Sequence, residues 1–242
     1  MIYVMSDIHG CYKEFKKMLK LIKFSKEDTL YILGDTIDRG PEPLSVLLYT
    51  SKEDNIHLIM GNHEVMMRDA LLSGDYSLWY RNGGAITCKQ FNSMSKEEQI
   101  AILEYISDLP LYEIITVNDK NYYLAHSTFK KEESEYYCNH KQEENDVVWT
   151  REYKEYPYIN KLYPETYKKY RGYTFIGGHT PTIKILQYEC FMSDNPYKSH
   201  IYKGKHYINV DCGMACNSNS DIIIRLGCLR LNDMKEFYIE KM

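Results

Sequence analysis

The sequence predicts an α/β fold in which two β-sheets pack face to face with helices outside, and three observations predict it. Three apolar runs, Met1–Met5, Thr29–Leu33 and Ile56–Met60, alternate with amphipathic stretches, the signature of βαβ units. After about residue 110 strand-length segments follow one another, which points to a second, mostly antiparallel group of strands. No Pro/Gly/Ser-rich linker and no internal repeat interrupts the 242 residues, so one domain over 1–242 is expected.

The elements follow in order. Behind the first strand, Tyr12–Lys23 places Phe15, Met18, Leu19 and Ile22 on one helical face and lysines on the other, a solvated face. Behind the second, Pro41 and Pro43 are expected to open a helix carrying Leu44, Val46, Leu47 and Leu48, since proline is tolerated in a first turn. The third strand leads into a helix through Val65, Met66, Met67, Ala70 and Leu71, whose methionines suit core filling better than a ligand groove. Asp75 to Leu109 reads as helical, with a break at Asn82-Gly83-Gly84 and a helix from Lys96 to Ser107. Leu111–Val117 and Asn121–Ala125 form a hairpin pattern around Asn118-Asp119-Lys120. Further strands are expected at Tyr173–Ile176, His206–Val210, Ile222–Leu226 and Glu236–Ile239.

Residues 130 to 172 form a polar insert with acidic clusters at Glu132, Glu133, Glu135 and at Glu143, Glu144, Asp146. Nine tyrosines between 130 and 173 make it either a lid over a site or a peripheral excursion packed by its rings.

Bulk properties narrow the function. A net charge of −4 without a basic block argues against a nucleic acid duplex as partner. Seven cysteines lack paired spacing, and Cys212-x-x-x-Cys216 has neither a CxxC partner nor a nearby His, so reduced thiols are expected. The chain starts in a strand without a basic, cleavable leader, and no apolar run approaches the roughly 18 residues of a membrane span. A cytoplasmic protein with no membrane contact is the expectation.

Four short segments carry chemistry: Asp7-x-His9-Gly10, Gly34-Asp35-x-x-Asp38-Arg39-Gly40, Gly61-Asn62-His63-Glu64 and Gly178-His179-Thr180-Pro181. The first three follow strands, and open α/β sheets build their sites in the crevice at strand carboxyl ends. Converging Asp, His and Asn suit divalent metals, and an adjacent Arg suits phosphate.

This pattern resembles the calcineurin-like metallophosphoesterases. Within them it is closest to the phosphoprotein phosphatases of the bacteriophage lambda and bacterial serine/threonine type, whose signature is DxHG, GDxxDRG and GNHE. The likeness extends through Asn82-Gly-Gly84, Leu109-Pro-Leu111, Ala125-His126 and His206-Tyr-Ile-Asn-Val-Asp-Cys-Gly213, and is weakest in the insert. It implies a four-layer α/β/β/α sandwich with two mixed central sheets. It also implies two divalent metal ions, Mn before Fe or Zn, with Asp35 bridging. Asp7 and His9 match further ligands of one ion, and Asn62, His126 and His179 those of the other.

His63 matches the family's general acid, a role suited to a group titrating near neutrality, with Asp38 orienting it. Asp38 has a second reading as a helix cap. Arg39 matches a phosphate clamp. Arg151, in Val147-Val-Trp-Thr-Arg151, resembles a second clamp, with a surface ion pair to Glu152 or Glu155 as the alternative. His206 and Asp211 are expected to support the sheet edge near the metals rather than to ligate.

The expected activity is a metal-dependent phosphomonoesterase acting on phosphoserine or phosphothreonine in a phosphoprotein or phosphopeptide, with phosphotyrosine as a further candidate. The alternative is a symmetrical diadenosine tetraphosphate hydrolase, for which a dinucleoside polyphosphate is the substrate. Glu64, where such hydrolases generally carry Asp, favours the former. A non-catalytic phosphate-binding module would have lost a ligand or the acid, and every position is filled.

Overall fold

The computed structural model describes residues 1–129, 140–151, 164–188, 197–216 and 222–242. The strands are β1 (Ile2–Met5), β2 (Thr29–Ile32), β3 (Ile56–Leu58), β4 (Tyr112–Val117), β5 (Lys120–Ala125), β6 (Thr174–Gly177), β7 (Tyr202–Lys203), β8 (Tyr207–Asn209), β9 (Arg225–Arg230) and β10 (Lys235–Glu240). They form two mixed sheets, ordered β10-β9-β1-β2-β3 and β4-β5-β6-β8-β7. In the first, β1, β2 and β3 are parallel, with Met5 opposite Ile32 and Ile32 opposite Leu58, while β9 and β10 run antiparallel at the far edge.

Side-chain alternation fixes the layers. Val4, Leu33 and Ile59 of the first sheet meet Tyr122, Leu124, Ile176, Ile208 and Val210 of the second in a dry inter-sheet core. Tyr3 and Met5 point the other way, into a core shared with Phe15, Met18 and Leu19 of α1 (Tyr12–Leu21). On the outer face of the second sheet, Tyr123, Ala125 and Phe175 pack on Phe129, Val147 and Tyr170. The result is the four-layer α/β/β/α sandwich.

Several elements differ from expectation. The segment after β2 does not become helical at Pro41; α2 spans Ser45–Thr50. Its backbone is committed elsewhere, for Glu42 donates its amide to Gly10 O at 3.0 Å, and Asp38 and Arg39 are left-handed (φ 69° and 63°). The centre of the second sheet, β5-β6-β8, is parallel, with antiparallel partners only at its edges.

The strand expected at Ile222–Leu226 lies instead at Arg225–Arg230, where pairing with β10 sets the register. Ile223 makes only an isolated bridge with Lys198. The two-residue β7 carried too little pattern to be read. The hairpin turn is Asn118-Asp119 alone, both left-handed (φ 49° and 60°), so Lys120 already pairs with Val117.

Further helices are α3 (Asn62–Ser73), α4 (Ser77–Arg81), α5 (Ala85–Asn92), α6 (Lys96–Ser107), α7 (His140–Trp149), α8 (Pro164–Tyr170) and α9 (Thr182–Tyr188). The Asn82-Gly83-Gly84 break separates α4 from α5 as expected. Of the insert, α7 and α8 are described. Glu144 of α7 takes a two-pronged ion pair from Arg68 of α3 (2.6 and 2.8 Å), and Val147 and Val148 are buried. The acidic cluster at 132–135 lies outside the described residues. None of the described cysteines is in a disulfide, and no helix among the described residues is long and apolar enough to cross a membrane.

Candidate metal centre and phosphate cleft

The carboxyl ends of both sheets meet in one place. Loop amides continue the β1–β2 pairing: Asp7 donates to Gly34 O (3.1 Å), His9 to Asp35 O (2.9 Å) and Gly10 to Thr36 O (2.8 Å). In the second sheet Gly178 donates to His126 O (2.8 Å), and His179 N reaches across to Asp7 Oδ2 (2.9 Å), tying the sheets together. These contacts leave no room for side chains at the glycines. A Cβ on Gly61 would strike Asp35, and one on Gly34 would strike Gly61.

Six candidate residues, Asp7, His9, Asp35, Asp38, Arg39 and His179, hold φ between 46° and 69°. Such conformations are uncommon for residues with a Cβ and persist where the surroundings over-determine them. Here the over-determination is visible in Glu64. Its buried carboxylate accepts from the amides of Asp35 (2.8 Å), Thr36 (2.8 Å) and Gly61 (3.1 Å) and from the Thr36 hydroxyl (2.8 Å). Glu64 therefore faces the backbone that carries Asp35. The residue used in the sequence to favour one substrate over another makes these structural bonds and does not line the cleft.

Two clusters share Asp35. Its Oδ2 lies 3.5 Å from His9 Nε2, and its Oδ1 lies 3.5 Å from His126 Nε2. Around the first oxygen stand Asp7, whose Oδ1 is 4.0 Å from His9 Nε2, and His63, whose Nε2 is 3.9 Å from Asp35 Oδ2. Around the second, Asn62 Oδ1 lies 2.9 Å from both His126 Nε2 and His179 Nδ1, and those two nitrogens are 3.2 Å apart.

The donor set fits divalent cations. His9 Nδ1 donates to Ile37 O (2.9 Å) and His126 Nδ1 to Leu33 O (2.6 Å). Each ring thereby turns an unprotonated Nε2 lone pair inward, the second-sphere pattern of metal-binding histidine. Groups of His9, Asp35 and His63, and of Asp35, His126 and His179, each bring ligand atoms within 4.8 Å of one another. Burial, then Asp7 and Glu64, push Asp35 well above the usual carboxylate range, and burial, then Asp7, does the same to Asp211. Burial pushes His9 and His179 well down. Positive charge between these groups would relieve the carboxylates and meet neutral imidazole.

At the edge of the first cluster, His63 Nδ1 donates to Asp38 Oδ2 at 2.6 Å, which leaves Nε2 facing the centre. Burial raises Asp38 to about 7, against the opposing donors Thr87 and Trp79. Asp38 lies against the imidazole with those donors behind it, and the helix that follows is capped at Leu44, not at Asp38.

The centre opens into a cleft of about 210 Å³. Arg39 stands on one wall, its Nε donating to Asn82 O (3.2 Å) and its Nη1 3.4 Å from His9 Nε2. On the other wall Arg151 donates to Thr180 Oγ1 (2.9 Å) and His179 O (3.3 Å). Trp149, Lys184, Asp211 and Cys216 complete the rim. All ten residues singled out in the sequence as site residues therefore lie at one centre. Sequence reading missed the anchoring role of Glu64, for which the capping-box position after Gly61 was the available signal. It also missed Trp79 and Thr87, which sit 41 and 49 positions from Asp38 with no spacing signal.

Known proteins resemble this chain in sequence or in fold. A Salmonella typhimurium protein named serine/threonine-protein phosphatase 2 is 29% identical over 220 residues, covering 90% of this chain and 89% of that one. A Wigglesworthia glossinidia brevipalpis protein named symmetrical bis(5'-nucleosyl)-tetraphosphatase is 53% identical over 66 residues, 26% of this chain and 24% of its own length. The crystal structure of a metallophosphoesterase from Sphaerobacter thermophilus superposes with a TM-score of 0.60 at 15% identity, covering 100% of this chain and 88% of that one. The family model for calcineurin-like phosphoesterases matches residues 1–210, which takes in both clusters and both arginines, and the chain belongs to that family.

Proposed function

We propose that this protein is a metal-dependent phosphomonoesterase acting on phosphoserine and phosphothreonine in proteins. The observation that carries the phosphatase chemistry is the sharing of Asp35 between two donor clusters with the His63–Asp38 pair at their edge. Asp7, His9 and Asp35 would hold one divalent ion, and Asp35, Asn62, His126 and His179 the other, with Mn as first candidate. Such ions supply Lewis-acid neutralisation of the phosphoryl oxygens and activation of a water.

The chain's own residues do the rest. Arg39 and Arg151, on opposite walls, grip the peripheral phosphate oxygens and orient the ester for in-line attack. His63, aimed by Asp38, gives its Nε2 proton to the departing alkoxide, and Asp38 stabilises the imidazolium before transfer. The buried floor keeps bulk water from competing with these contacts. Support for a protein substrate comes from the relative of that activity, which aligns along nearly the whole chain.

Cleavage of dinucleoside tetraphosphates is the second reading, favoured by the higher identity of the short stretch shared with a tetraphosphatase. Mn-reconstituted enzyme should be assayed on a phosphoserine/phosphothreonine peptide and on diadenosine tetraphosphate in parallel. Peptide turnover alone supports the proposal; turnover of the dinucleotide alone replaces it.

A further inference from the structure

Asp38 is held from behind by two residues, Trp79 and Thr87, that lie outside the motifs singled out in the sequence. Trp79, fully enclosed, donates its indole N–H to both carboxylate oxygens of Asp38 (3.1 Å to Oδ1, 2.9 Å to Oδ2). Thr87, also fully enclosed, donates its hydroxyl to Oδ1. With Oδ1 engaged by Thr87 and the indole lying between the oxygens, the carboxylate cannot rotate about its Cβ–Cγ bond without breaking one of these bonds. Oδ2 is then presented to His63 Nδ1 at 2.6 Å.

The two donors sit on α4 and α5, on either side of the Asn82-Gly83-Gly84 break. That break has a packing reason. Gly84 lies against the indole of Trp79 with no space for a Cβ, and Gly83 lies against Arg39. Asn82 O accepts from Arg39 Nε at 3.2 Å. One helix–turn–helix thus grips two consecutive left-handed residues, Asp38 through side chains and Arg39 mainly through backbone.

We propose that Trp79 and Thr87 are positioning residues for proton delivery: they lock the Asp38 carboxylate so that His63 Nε2 points at the leaving oxygen. This rests on the reading of His63 as general acid. The alternative is that both donors merely satisfy a buried carboxylate, which buried polar groups require in any case.

Leaving-group dependence separates the two, because an aryl phosphate needs little help from an acid and an alkyl phosphate needs much. Thr87→Val removes the hydroxyl at nearly constant shape, Thr87→Ser keeps it, and Trp79→Phe removes the indole donor. For Thr87→Val and Trp79→Phe the expected result is a kcat on a phosphoserine peptide lowered about ten-fold more than on p-nitrophenyl phosphate, part of the ~10²–10⁴-fold due to general acid catalysis. KM and a content of two Mn per chain should stay as in the parent, and Thr87→Ser should restore the alkyl rate.

Equal losses on both substrates, or no loss, would overturn the positioning role. His63→Ala is the control on the underlying reading. If it shows no leaving-group dependence, the acid assignment fails and the proposal with it. If His63→Ala shows that dependence while well-folded Thr87→Val and Trp79→Phe do not, only the positioning role fails.

Discussion

His126 Nε2 and His179 Nδ1 face each other at 3.2 Å, each 2.9 Å from Asn62 Oδ1. With His126 Nδ1 donating to Leu33 O, its Nε2 has a lone pair and no proton to offer. With the His179 proton on Nε2, the three facing atoms are all electron-rich and repel one another unless a cation lies among them. Chelation should therefore abolish activity and lower Tm. Returning Mn²⁺ to about 100 times its Kd should restore about 2.7 kcal/mol of stability, read as an upward Tm shift in a calorimetric titration. Unchanged Tm across chelation and readdition would contradict the assignment.

Asp35 is common to both clusters, whereas His9 and Asn62 serve one each. Asp35→Ala should leave the chain without either ion and without measurable turnover, while His9→Ala should keep an ion at the Asn62, His126 and His179 side. Elemental analysis of gel-filtered protein decides it: two metal equivalents retained by Asp35→Ala would refute the bridge.

Glu64 shapes the backbone that presents Asp35. Glu64→Gln replaces one acceptor oxygen by an NH₂ that must face amide donors of Asp35, Thr36 or Gly61. A loss of about 2 kcal/mol is expected, ~4–8 °C in Tm for a chain of this size, together with weaker metal retention. Thermal unfolding of the variant beside the parent tests this, and a shift below 1 °C would show that the four bonds are not holding the loop.

Arg68 fastens α7 to α3 through Glu144. From α7 the chain runs through Trp149 to Arg151, and Val147 O accepts the amides of Ser127 and Thr128 beside His126. Arg68→Ala should cost about 1 kcal/mol and raise KM several-fold through displacement of Arg151, with kcat less affected. Steady-state kinetics would expose the opposite split, a fall in kcat at constant KM, and so dismiss this route to the clamp.

Much of the centre was legible because its residues are local. A polar residue that follows a strand in a short Gly-bounded turn announces its place in the crevice, as Asp7-x-His9, Asp35 and Asn62-His63 do. His126 and His179 gained meaning only from their order relative to those turns. Strand pairing was harder. The apolar alternation around Ile222–Arg230 allows more than one register, and only the β9–β10 hairpin chooses Arg225–Arg230. The chain after β2 reads as a helix from Pro41, yet Gly10 and His9 hold it as a turn until Ser45.

By itself the sequence determined the α/β class, the three leading strand–turn units and which ten candidate residues to look for at one centre, because short-range periodicity and turn chemistry are written in consecutive positions. Tertiary structure decided the parallel centre of the second sheet, the turning of Glu64 into the backbone of Asp35 and the grip of Trp79 and Thr87 on Asp38. Those depend on groups separated by tens of residues that meet only when burial demands a partner for every polar atom, a condition imposed by the packed interior and invisible in any local pattern.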